Sequence, residues 1–374
     1  MKIAVYAICK NEEKHVARFL DSCAEADRIL VCDTGSTDGT WAALCRSQLT
    51  NLAKVGIHVE PWRFDDARNA ALALLPANID VCVVLDLDEV LVPGWREVIE
   101  AAWRPETTRL SYRYVWSWSA PGEPAVQFVQ NNIHARHGYR WRLPVHEVLS
   151  FDPRRTEVVT TVDTRIVEHH ADPTKSRSQY LDLLALAAAE APNDDRVAHY
   201  YGRELMFRGE HEAAITQLSR HLRLPGATWK PERATSMRFI ARCLRSLGKN
   251  EEARFWLLQA SGEDPTAREP WVDLAQLNHD DSESKQRWAR CFWAAQKALE
   301  ITVRPSHYLV DPDAWGSRPH DLLSIACWNL GQVERALEHA RIAAELDPRD
   351  ARLASNVRII SELTPASESP QLVL

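Results

Sequence analysis

The fold of this 374-residue chain is decided by the stretch Val83-Val84-Leu85-Asp86-Leu87-Asp88-Glu89-Val90. Its apolar start predicts a buried strand, and that strand ends abruptly in acidic residues. Because strand interiors disfavour aspartate, carboxylates at a strand exit usually face a ligand. Asp86 and Asp88, one residue apart, suit a hard divalent cation that phosphate oxygens also bind. A solvated turn is the alternative explanation for such a triplet taken alone.

Strands and helices alternate along the first hundred or so residues. The hydrophobic pattern predicts strands over residues 3–9, 28–32, 57–61 and 81–85, and helices over 11–24, 41–52 and 68–75. This alternation implies a largely parallel sheet with helices on both faces, which binds ligands beyond the carboxyl ends of its strands. The polar clusters at 11–12, 33–38 and 86–89 all follow such ends. From about 110 to 170 the pattern is strand-like, and a mixed region of this kind often completes an active site.

After Pro173 the chain becomes helical and repeats itself. A small residue, a glycine seven positions later and an alanine five positions beyond recur three times, at 202/209/214, 241/248/253 and 324/331/336. This pattern resembles the tetratricopeptide helix-turn-helix repeat, whose period is about 34 residues. A divergent copy is expected over 271–299, followed by a loop over 302–319. Such repeats offer surfaces for a macromolecule or for homodimer formation.

Composition limits the function classes. The chain is 45% hydrophobic and 26% charged, and it has no apolar run as long as the ~18 residues of a membrane span. Its first residues enter a strand directly and lack the sections of a signal peptide. The eight cysteines form no Cys-x-x-Cys pair and are expected to be reduced, which predicts a cytoplasmic location. A net charge of −7, spread over both halves, does not favour nucleic acid or membrane surfaces as partners.

Four N-terminal motifs occur in a recognisable order. They are Cys9-Lys10-Asn11-Glu12-Glu13, Val31-Cys32-Asp33-Thr34-Gly35-Ser36-Thr37-Asp38-Gly39-Thr40, Ala67-Arg68-Asn69-Ala70-Ala71-Leu72 and Asp86-Leu87-Asp88. Together they resemble family 2 glycosyltransferases of the GT-A fold, an α/β, Rossmann-like architecture with a mixed sheet. Thr34 departs from the Asp or Glu that is usual in the family. We therefore expect a GT-A domain over 1–172, an all-α tetratricopeptide-like domain over 173–364 and a loose tail over 365–374.

The resemblance implies roles for the motif residues. Asp33 would accept hydrogen bonds from a nucleobase, Glu12 would contact the ribose or base, and Arg68 would approach the base or the diphosphate. Asp86 and Asp88 would hold Mn²⁺ or Mg²⁺ against the diphosphate of the donor, where the metal offsets charge on the leaving group. The structural alternatives are turn and helix capping for Asp33 and a surface ion pair for Arg68.

The segment Trp141–Leu149 contains Val-His-Glu, which related transferases also carry after the metal motif. An inverting transfer needs a carboxylate base to deprotonate the acceptor hydroxyl. Glu147 is the first candidate and Glu89 the second, although Glu147 could instead pair with Arg140 or Arg142. The acceptor-side candidates are Trp116, Trp141 and His146.

A late histidine pair, His169 and His170, ends the strand-like region. GT-A enzymes often add one histidine to the metal shell, and imidazole suits a cation such as Mn²⁺. Neighbours on an extended strand point to opposite faces, so at most one can coordinate, and we expect His169. Lys175 and Arg177 could clamp the diphosphate or merely begin a solvated helix.

The expected activity is metal-dependent, inverting transfer of a sugar, with a UDP-sugar as the favoured donor. The acceptor would be macromolecular: a peptide, a glycan or lipid precursor, or a modified nucleic-acid base. Arginines and aromatic residues between 131 and 155 hint at DNA, but the net charge does not favour it. The alternative is a repeat-based binding scaffold with a degenerate transferase domain. A Rossmann dehydrogenase is excluded, because no Gly-x-Gly-x-x-Gly follows the first strand.

Overall fold

The computed structural model describes residues 1–172 and 179–363, which form two compact units. The first contains Met1–Ala191 and Ser306–Tyr308, and the second begins at Pro192 and includes the helical repeats. The division after Ala191 lies later than the position expected from sequence, 172, because the helix Tyr180–Glu190 belongs to the first unit. Lys175, Arg177 and the tail lie outside the described residues.

The first unit contains ten strands and five helices within the described residues. The strands are β1 (Ile3–Cys9), β2 (Arg28–Asp33), β3 (Leu52–Gly56), β4 (Val81–Val84), β5 (Glu89–Leu91), β6 (Arg109–Ala120), β7 (Glu123–Ala135), β8 (Tyr139–Arg142), β9 (Val148–Phe151) and β10 (Val159–His169). The helices are α1 (Glu13–Ser22), α2 (Thr40–Arg46), α3 (Phe64–Leu74), α4 (Trp95–Ala102) and α5 (Tyr180–Glu190).

Eight of these strands form one mixed sheet in the order β3-β2-β1-β4-β7-β6-β10-β5, and β8 pairs with β9 separately. Strands β3, β2, β1 and β4 run parallel, whereas β7 is antiparallel to both β4 and β6. The predicted α/β class with a mixed sheet is confirmed. The carboxyl ends of β1, β2 and β4 therefore meet at one edge of the sheet.

Strand β1 explains why this sheet forms. Every one of its residues is buried, as expected for a central parallel strand covered on both faces. Ile3 and Val5 pack with Phe19 of α1, whereas Tyr6 packs with Ala67 of α3 on the opposite face. Burial of each such aliphatic side chain contributes about 1.5–3 kcal/mol. These two cores hold the sheet edge in place.

The prediction for the third strand is wrong. Helix α2 ends at Arg46 rather than at 52, and the strand is Leu52–Gly56 rather than 57–61. The main-chain N–H of Ile57 still donates to Asp33 O at 2.8 Å, and pairing with β2 ends there. The side chain of Asn51 donates to Ala26 O at 2.6 Å and fixes the turn before the strand. Local hydrophobicity could not show this long-range contact.

The second unit is entirely helical within its described residues. Its helices are α6 (Asp195–Phe207), α7 (His211–Arg223), α8 (Lys230–Ser246), α9 (Asn250–Glu263), α10 (Glu269–Asp280), α11 (Arg287–Glu300), the 3₁₀ helix Pro312–Trp315, α12 (Arg318–Asn329), α13 (Val333–Leu346) and α14 (Ala351–Leu363). The expected divergent repeat corresponds to α10 and α11. The expected loop over 302–319 contains the 3₁₀ helix, and α12 begins inside its last two residues.

The repeat pattern has a direct physical basis in this unit. Gly209, Gly248 and Gly331 end their helices with φ of +79°, +75° and +73°, a left-handed conformation that glycine adopts without a Cβ clash. At Gly202 a Cβ would lie 2.6 Å from Leu218 Cγ, so α6 and α7 approach closely only because the residue is glycine. The prediction of tetratricopeptide-like helix pairs is confirmed. No helix in the described ranges has the length and apolar character needed to cross a membrane.

Candidate active site

The acidic turn after β4 presents its two aspartates away from the core. Leu85 and Leu87 are each 1% exposed and pack into the core, so the alternating residues Asp86 and Asp88 point the other way. The main-chain N–H of Asp86 donates to Glu89 Oε2 at 2.9 Å, and the N–H of Glu89 donates to Asp86 O at 3.0 Å. The Asp86 side chain is 49% exposed, whereas that of Asp88 is 8% exposed. One open and one sheltered carboxylate therefore share this edge.

Strand β10 brings His169 to the same place. It pairs antiparallel with β5, which sets His169 opposite Glu89. His169 Nε2 lies 3.5 Å from Asp88 Oδ2, and its Nδ1 lies 3.0 Å from Trp116 O. Burial lowers the pKa of His169, but the carboxylate of Asp88 outweighs it, and the net pKa lies above the ordinary value. His169 is thus the histidine at the acidic turn.

His170 occupies a different environment. Its Nε2 lies 3.7 Å from Glu168 Oε2, and its ring stacks on Trp118 with 5.8 Å between centroids. Burial lowers its pKa below the ordinary value. The opposite orientation of neighbouring strand residues therefore separates the two imidazoles, as expected.

Arg68 on α3 joins the acidic turn to the Val-His-Glu segment. Its Nη2 donates to Asp86 Oδ1 at 2.8 Å, and its Nε donates to the carboxylate of Glu147. The side chain is only 10% exposed, so this is not the surface ion pair considered above. Burial opposes the charge, but Asp86 and Glu147 raise the pKa of Arg68 far above its ordinary range. Glu147 pairs with this distant arginine rather than with Arg140 or Arg142.

Trp141 packs against the guanidinium group of Arg68. It is 4% exposed, its Nε1 donates to Tyr6 Oη at 2.8 Å, and the Arg68 guanidinium lies 5.2 Å from its ring centroid. Asn69 holds the Trp141 main chain through two hydrogen bonds of 2.9 Å each. Trp141 is therefore a buried residue that packs against Arg68. Its acceptor-side role remains a prediction. The position of Asn69 beside Arg68 was visible in sequence, but its function as a clamp was not.

Asp33 is the last residue of β2, and only one of its two carboxylate oxygens accepts hydrogen bonds from the described residues. Its Oδ1 accepts the main-chain N–H groups of Gly35 and Ser36 at 2.7 Å each, which is the capping interaction considered above. Its Oδ2 is buried and receives no hydrogen bond from the described residues. The capping interaction therefore accounts for Oδ1 but not for Oδ2. Burying a hydrogen-bond acceptor without a donor costs free energy of folding.

Asn11 and Glu12 follow β1 and lie beside this loop. Glu12 is 8% exposed, and its main-chain N–H donates to Thr40 Oγ1 at 2.7 Å. Asn11 adopts a left-handed φ of +58° and accepts the Thr37 N–H at 2.7 Å, which ties the two strand ends together. The acceptor-side candidate His146 lies in the Val-His-Glu segment, with φ of +48° and its ring 5.6 Å from that of Tyr180.

Two residues on β6 were partly or wholly missed by the sequence analysis. Tyr114, which received no role, donates from its hydroxyl to Glu89 Oε1 at 2.5 Å. Trp116, expected on the acceptor side, is 43% exposed and stacks on His169 at 4.5 Å and 24°. The period-two spacing of Tyr112, Tyr114 and Trp116 is the signal that could have placed Tyr114 on the site face.

Glu89 is the carboxylate with the largest electrostatic perturbation at this edge. Burial and the neighbouring charge of Asp86 raise its pKa to about 7, against the opposing hydrogen bond from Tyr114. Such a group exchanges a proton near neutral pH, which is what a general base or acid requires. The edge thus combines one exposed and one sheltered aspartate, an imidazole, a buried guanidinium and a carboxylate, Glu89, whose pKa is raised to about 7.

Comparison with known proteins gives two kinds of likeness. Residues 4–112 match the model of glycosyl transferase family 2. Over 143 residues the chain is 32% identical to the lipopolysaccharide core biosynthesis glycosyltransferase LpsC of Rhizobium meliloti (strain 1021), covering 37% of this chain and 50% of LpsC. The chain thus spans about half the length of this curated relative.

Solved structures resemble the helical part. MamA aligns at TM-score 0.35 and 14% identity over 46% of this chain and 83% of that one. YrrB, described as a TPR protein with an unusual peptide-binding site, aligns at 0.37 and 15% over 48% and 82%. At these scores the description of the second unit rests on its own helix pairs and glycines. Asp33, Arg68, Asp86 and Asp88 all lie inside residues 4–112, the range that matches the glycosyl transferase family 2 model.

Proposed function

We propose that the protein is a metal-dependent, inverting glycosyltransferase that uses a nucleoside diphosphate sugar. The observation that carries this proposal is the meeting of Asp86, Asp88, His169 and Arg68 at the edge where the parallel strands of the mixed sheet end. Ligands of such sheets bind at this edge. The family match supports glycosyl transfer as the reaction class.

The nucleobase is proposed to bind at the end of β2. Asp33 Oδ2 is a buried acceptor that lacks a donor among the described residues. The imide N–H of uracil would supply that donor and remove the cost of an unsatisfied carboxylate oxygen. This favours a uridine nucleotide, with Glu12 near the ribose. Lys175 and Arg177 remain predictions for the diphosphate.

The donor groups at the acidic turn fit a divalent cation. Two carboxylates and one imidazole form an O,O,N set, which suits Mn²⁺ and is compatible with Mg²⁺ through its oxygens. Asp88, Asp86 and His169 would hold the ion, and the bound ion would neutralise charge on the diphosphate leaving group. The carbonyl of Trp116 fixes the His169 ring through Nδ1, so Nε2 faces Asp88.

The transfer needs one proton acceptor. The acceptor oxygen forms a bond to the anomeric carbon as the bond to the diphosphate breaks, and the base takes the hydroxyl proton. Glu147 is the first candidate from sequence, but its carboxylate is already bound by Arg68. The raised pKa of Glu89 supports Glu89 in this role, with Tyr114 orienting its carboxylate. Arg68 would then keep the carboxylates of Asp86 and Glu147 in position through its two ion pairs.

The acceptor is proposed to be a saccharide of a glycan or lipid precursor. Trp116 offers an exposed indole beside His169, and sugar rings pack well on aromatic faces. The relative LpsC is named for lipopolysaccharide core biosynthesis, which agrees with a saccharide acceptor. A net charge of −7 does not favour DNA. We further propose a cytoplasmic location and helical repeats that bind a macromolecule or a second copy.

A thermal-shift screen tests this proposal. Nucleoside diphosphates and nucleotide sugars are added to the full chain with and without Mn²⁺. We expect metal-dependent stabilisation by a uridine nucleotide and its loss in Asp86→Ala, because a ligand that binds only the folded state raises its stability. Stabilisation by no nucleotide would contradict the transferase proposal and favour the repeat-based scaffold.

A further inference from the structure

We propose that the helical unit contains a metal site of its own, formed by Asp195, His221 and Glu232, for a divalent transition cation of the zinc class. One ligand atom from each residue lies within 4.8 Å of the others. The residues come from three successive helices: the first turn of α6, the last turn of α7 and the first turn of α8. None of them belongs to the transferase site.

The distance between His221 and Glu232 is compatible with metal coordination as well as with a direct ion pair. His221 Nε2 lies 3.4 Å from Glu232 Oε1, and this nitrogen has no hydrogen-bond partner among the described residues. The imidazole is fully buried, with 0% of its side chain exposed. Zinc ligands at about 2.0–2.1 Å in a tetrahedron are separated by about 3.3 Å. The observed separation of His221 and Glu232 is therefore compatible with two corners of one coordination shell, and Asp195 lies within 4.8 Å of both.

A second layer of contacts orients the imidazole. Ser236 Oγ lies 2.9 Å from His221 Nδ1 and 2.7 Å from His199 Nδ1, and all three side chains are buried. A hydroxyl has a single proton, so it donates to one histidine and accepts from the other. When His221 Nδ1 donates to Ser236, its Nε2 lone pair faces the carboxylates, which is the arrangement of metal-bound histidines.

Gly226 lies beside the third proposed ligand, Asp195. A Cβ at Gly226 would lie 2.9 Å from Asp195 Oδ1, although the glycine does not have a positive φ. A larger residue at 226 would therefore displace the Asp195 carboxylate from its present position. Asp195 is only partly buried and gives the cluster a route to solvent.

Helix electrostatics offers the rival explanation. Acidic residues favour the first turn of a helix and histidine favours the last turn, so each residue is understandable singly. In that case His221 Nε2 carries a proton toward Glu232 and no ion binds. Helix dipoles do not explain why the three ligand atoms converge around a buried nitrogen.

Cobalt binding distinguishes the two explanations. The full chain carries Asp88→Ala to weaken the transferase metal site, is stripped with a chelator and is titrated with Co²⁺ followed by Zn²⁺. We expect one equivalent of Co²⁺ with strong visible absorption typical of tetrahedral coordination, displaced by Zn²⁺. Adding Asp195→Asn should weaken Co²⁺ binding more than about tenfold. Circular dichroism confirms that each variant is folded.

Glu212→Gln is the matched control, because Glu212 lies in the first turn of α7, is exposed and stands outside the cluster. It should leave the titration unchanged. The proposal is overturned if the Asp88→Ala chain binds no Co²⁺, or if folded Asp195→Asn binds it as tightly as its parent. His221→Gln serves as a second ligand variant with the same expected loss.

Discussion

Two arginine–carboxylate clusters, one in each unit, are alike in their ion pairs and differ in exposure. In the sheet unit, Arg68 joins Asp86 and Glu147. In the helical unit, Asp273 binds Arg238 at 3.1 Å and Arg242 at 3.0 Å. Burial raises the pKa of Asp273, but the two guanidinium groups outweigh it and hold the pKa at about 2. Both clusters are strongly perturbed electrostatically.

The difference lies in what each cluster leaves open. The Asp86 side chain is 49% exposed at the end of a strand, whereas that of Asp273 is 11% exposed between helices. The sheet unit also keeps a buried acceptor without a donor at Asp33 Oδ2. Ion pairs and shifted pKa values are thus shared by structural and functional clusters. The exposed carboxylate of Asp86 at a strand edge distinguishes the candidate site.

Asp88→Ala should have the largest effect on turnover. Removing the sheltered carboxylate deprives the proposed cation of a ligand and loses several kcal/mol of transition-state stabilisation, so we expect turnover to fall by more than about 10³-fold. Steady-state transfer assays at saturating Mn²⁺ measure this. Asp163→Ala is the control, because the Asp163 side chain is 80% exposed on β10. Unchanged turnover in folded Asp88→Ala would show that the acidic turn holds no catalytic metal.

Glu89→Gln and Glu147→Gln should separate the proposed base from a positioning residue. Loss of a general base costs about 10²–10⁴-fold in rate. With its pKa raised to about 7, Glu89 is protonated at lower pH, so a rate that depends on its ionised form rises with pH and levels above about 7. A bound cation would move this limb to lower pH.

The pH profile of kcat/KM then decides between the two carboxylates. If Glu89 is the base, Glu89→Gln removes the acidic limb and Glu147→Gln keeps it at a reduced rate. The reverse pattern would restore Glu147 as the base and leave Glu89 as a support for the turn at Asp86.

The local sequence pattern was sufficient to predict where the site residues at strand ends lie. Asp33, Asp86 and Asp88 could be placed because each one follows an apolar run, and strand ends meet in a parallel sheet. His169 could be placed because adjacent strand residues face opposite ways. Likewise, the glycines at 209, 248 and 331 marked the helix turns because a left-handed φ favours glycine.

Contacts between distant segments could not be predicted. The pairing of Arg68 with Glu147 crosses 79 positions, and sequence offered Arg140 or Arg142 as nearer partners. The third strand was placed five residues late because its start depends on Asn51 binding Ala26. Trp141 was an acceptor-side candidate by residue type, but only the fold shows that its side chain is buried.

Asp273→Ala should reduce stability rather than chemistry. It leaves Arg238, whose side chain is 5% exposed, without its nearest carboxylate, and breaking a buried ion pair in this way costs about 3–5 kcal/mol. Urea unfolding followed by circular dichroism measures the loss. Asp86→Ala, at a half-exposed carboxylate, should cost far less stability while reducing nucleotide-induced stabilisation. Equal stability losses would mean that exposure does not separate the two clusters.

Trp116→Ala should have the smallest effect, and it tests the acceptor. Stacking of a sugar on an indole contributes about 1 kcal/mol, so we expect the acceptor KM to rise about fivefold with little change in donor affinity. Trp116→Phe should recover most of the affinity, because it keeps an aromatic face over His169. Trp293→Ala, at a 45% exposed tryptophan of the helical unit, is the matched control.

A change in metal affinity with Trp116→Ala would point to another role. Since the indole covers His169 and the Trp116 carbonyl binds His169 Nδ1, the residue could instead position the proposed metal ligand. Side-chain removal leaves the carbonyl in place, so a pure loss of stacking alters acceptor KM alone. A parallel rise in the Mn²⁺ concentration needed for activity would show that metal binding at the strand edge needs the Trp116 indole as well as the carboxylates.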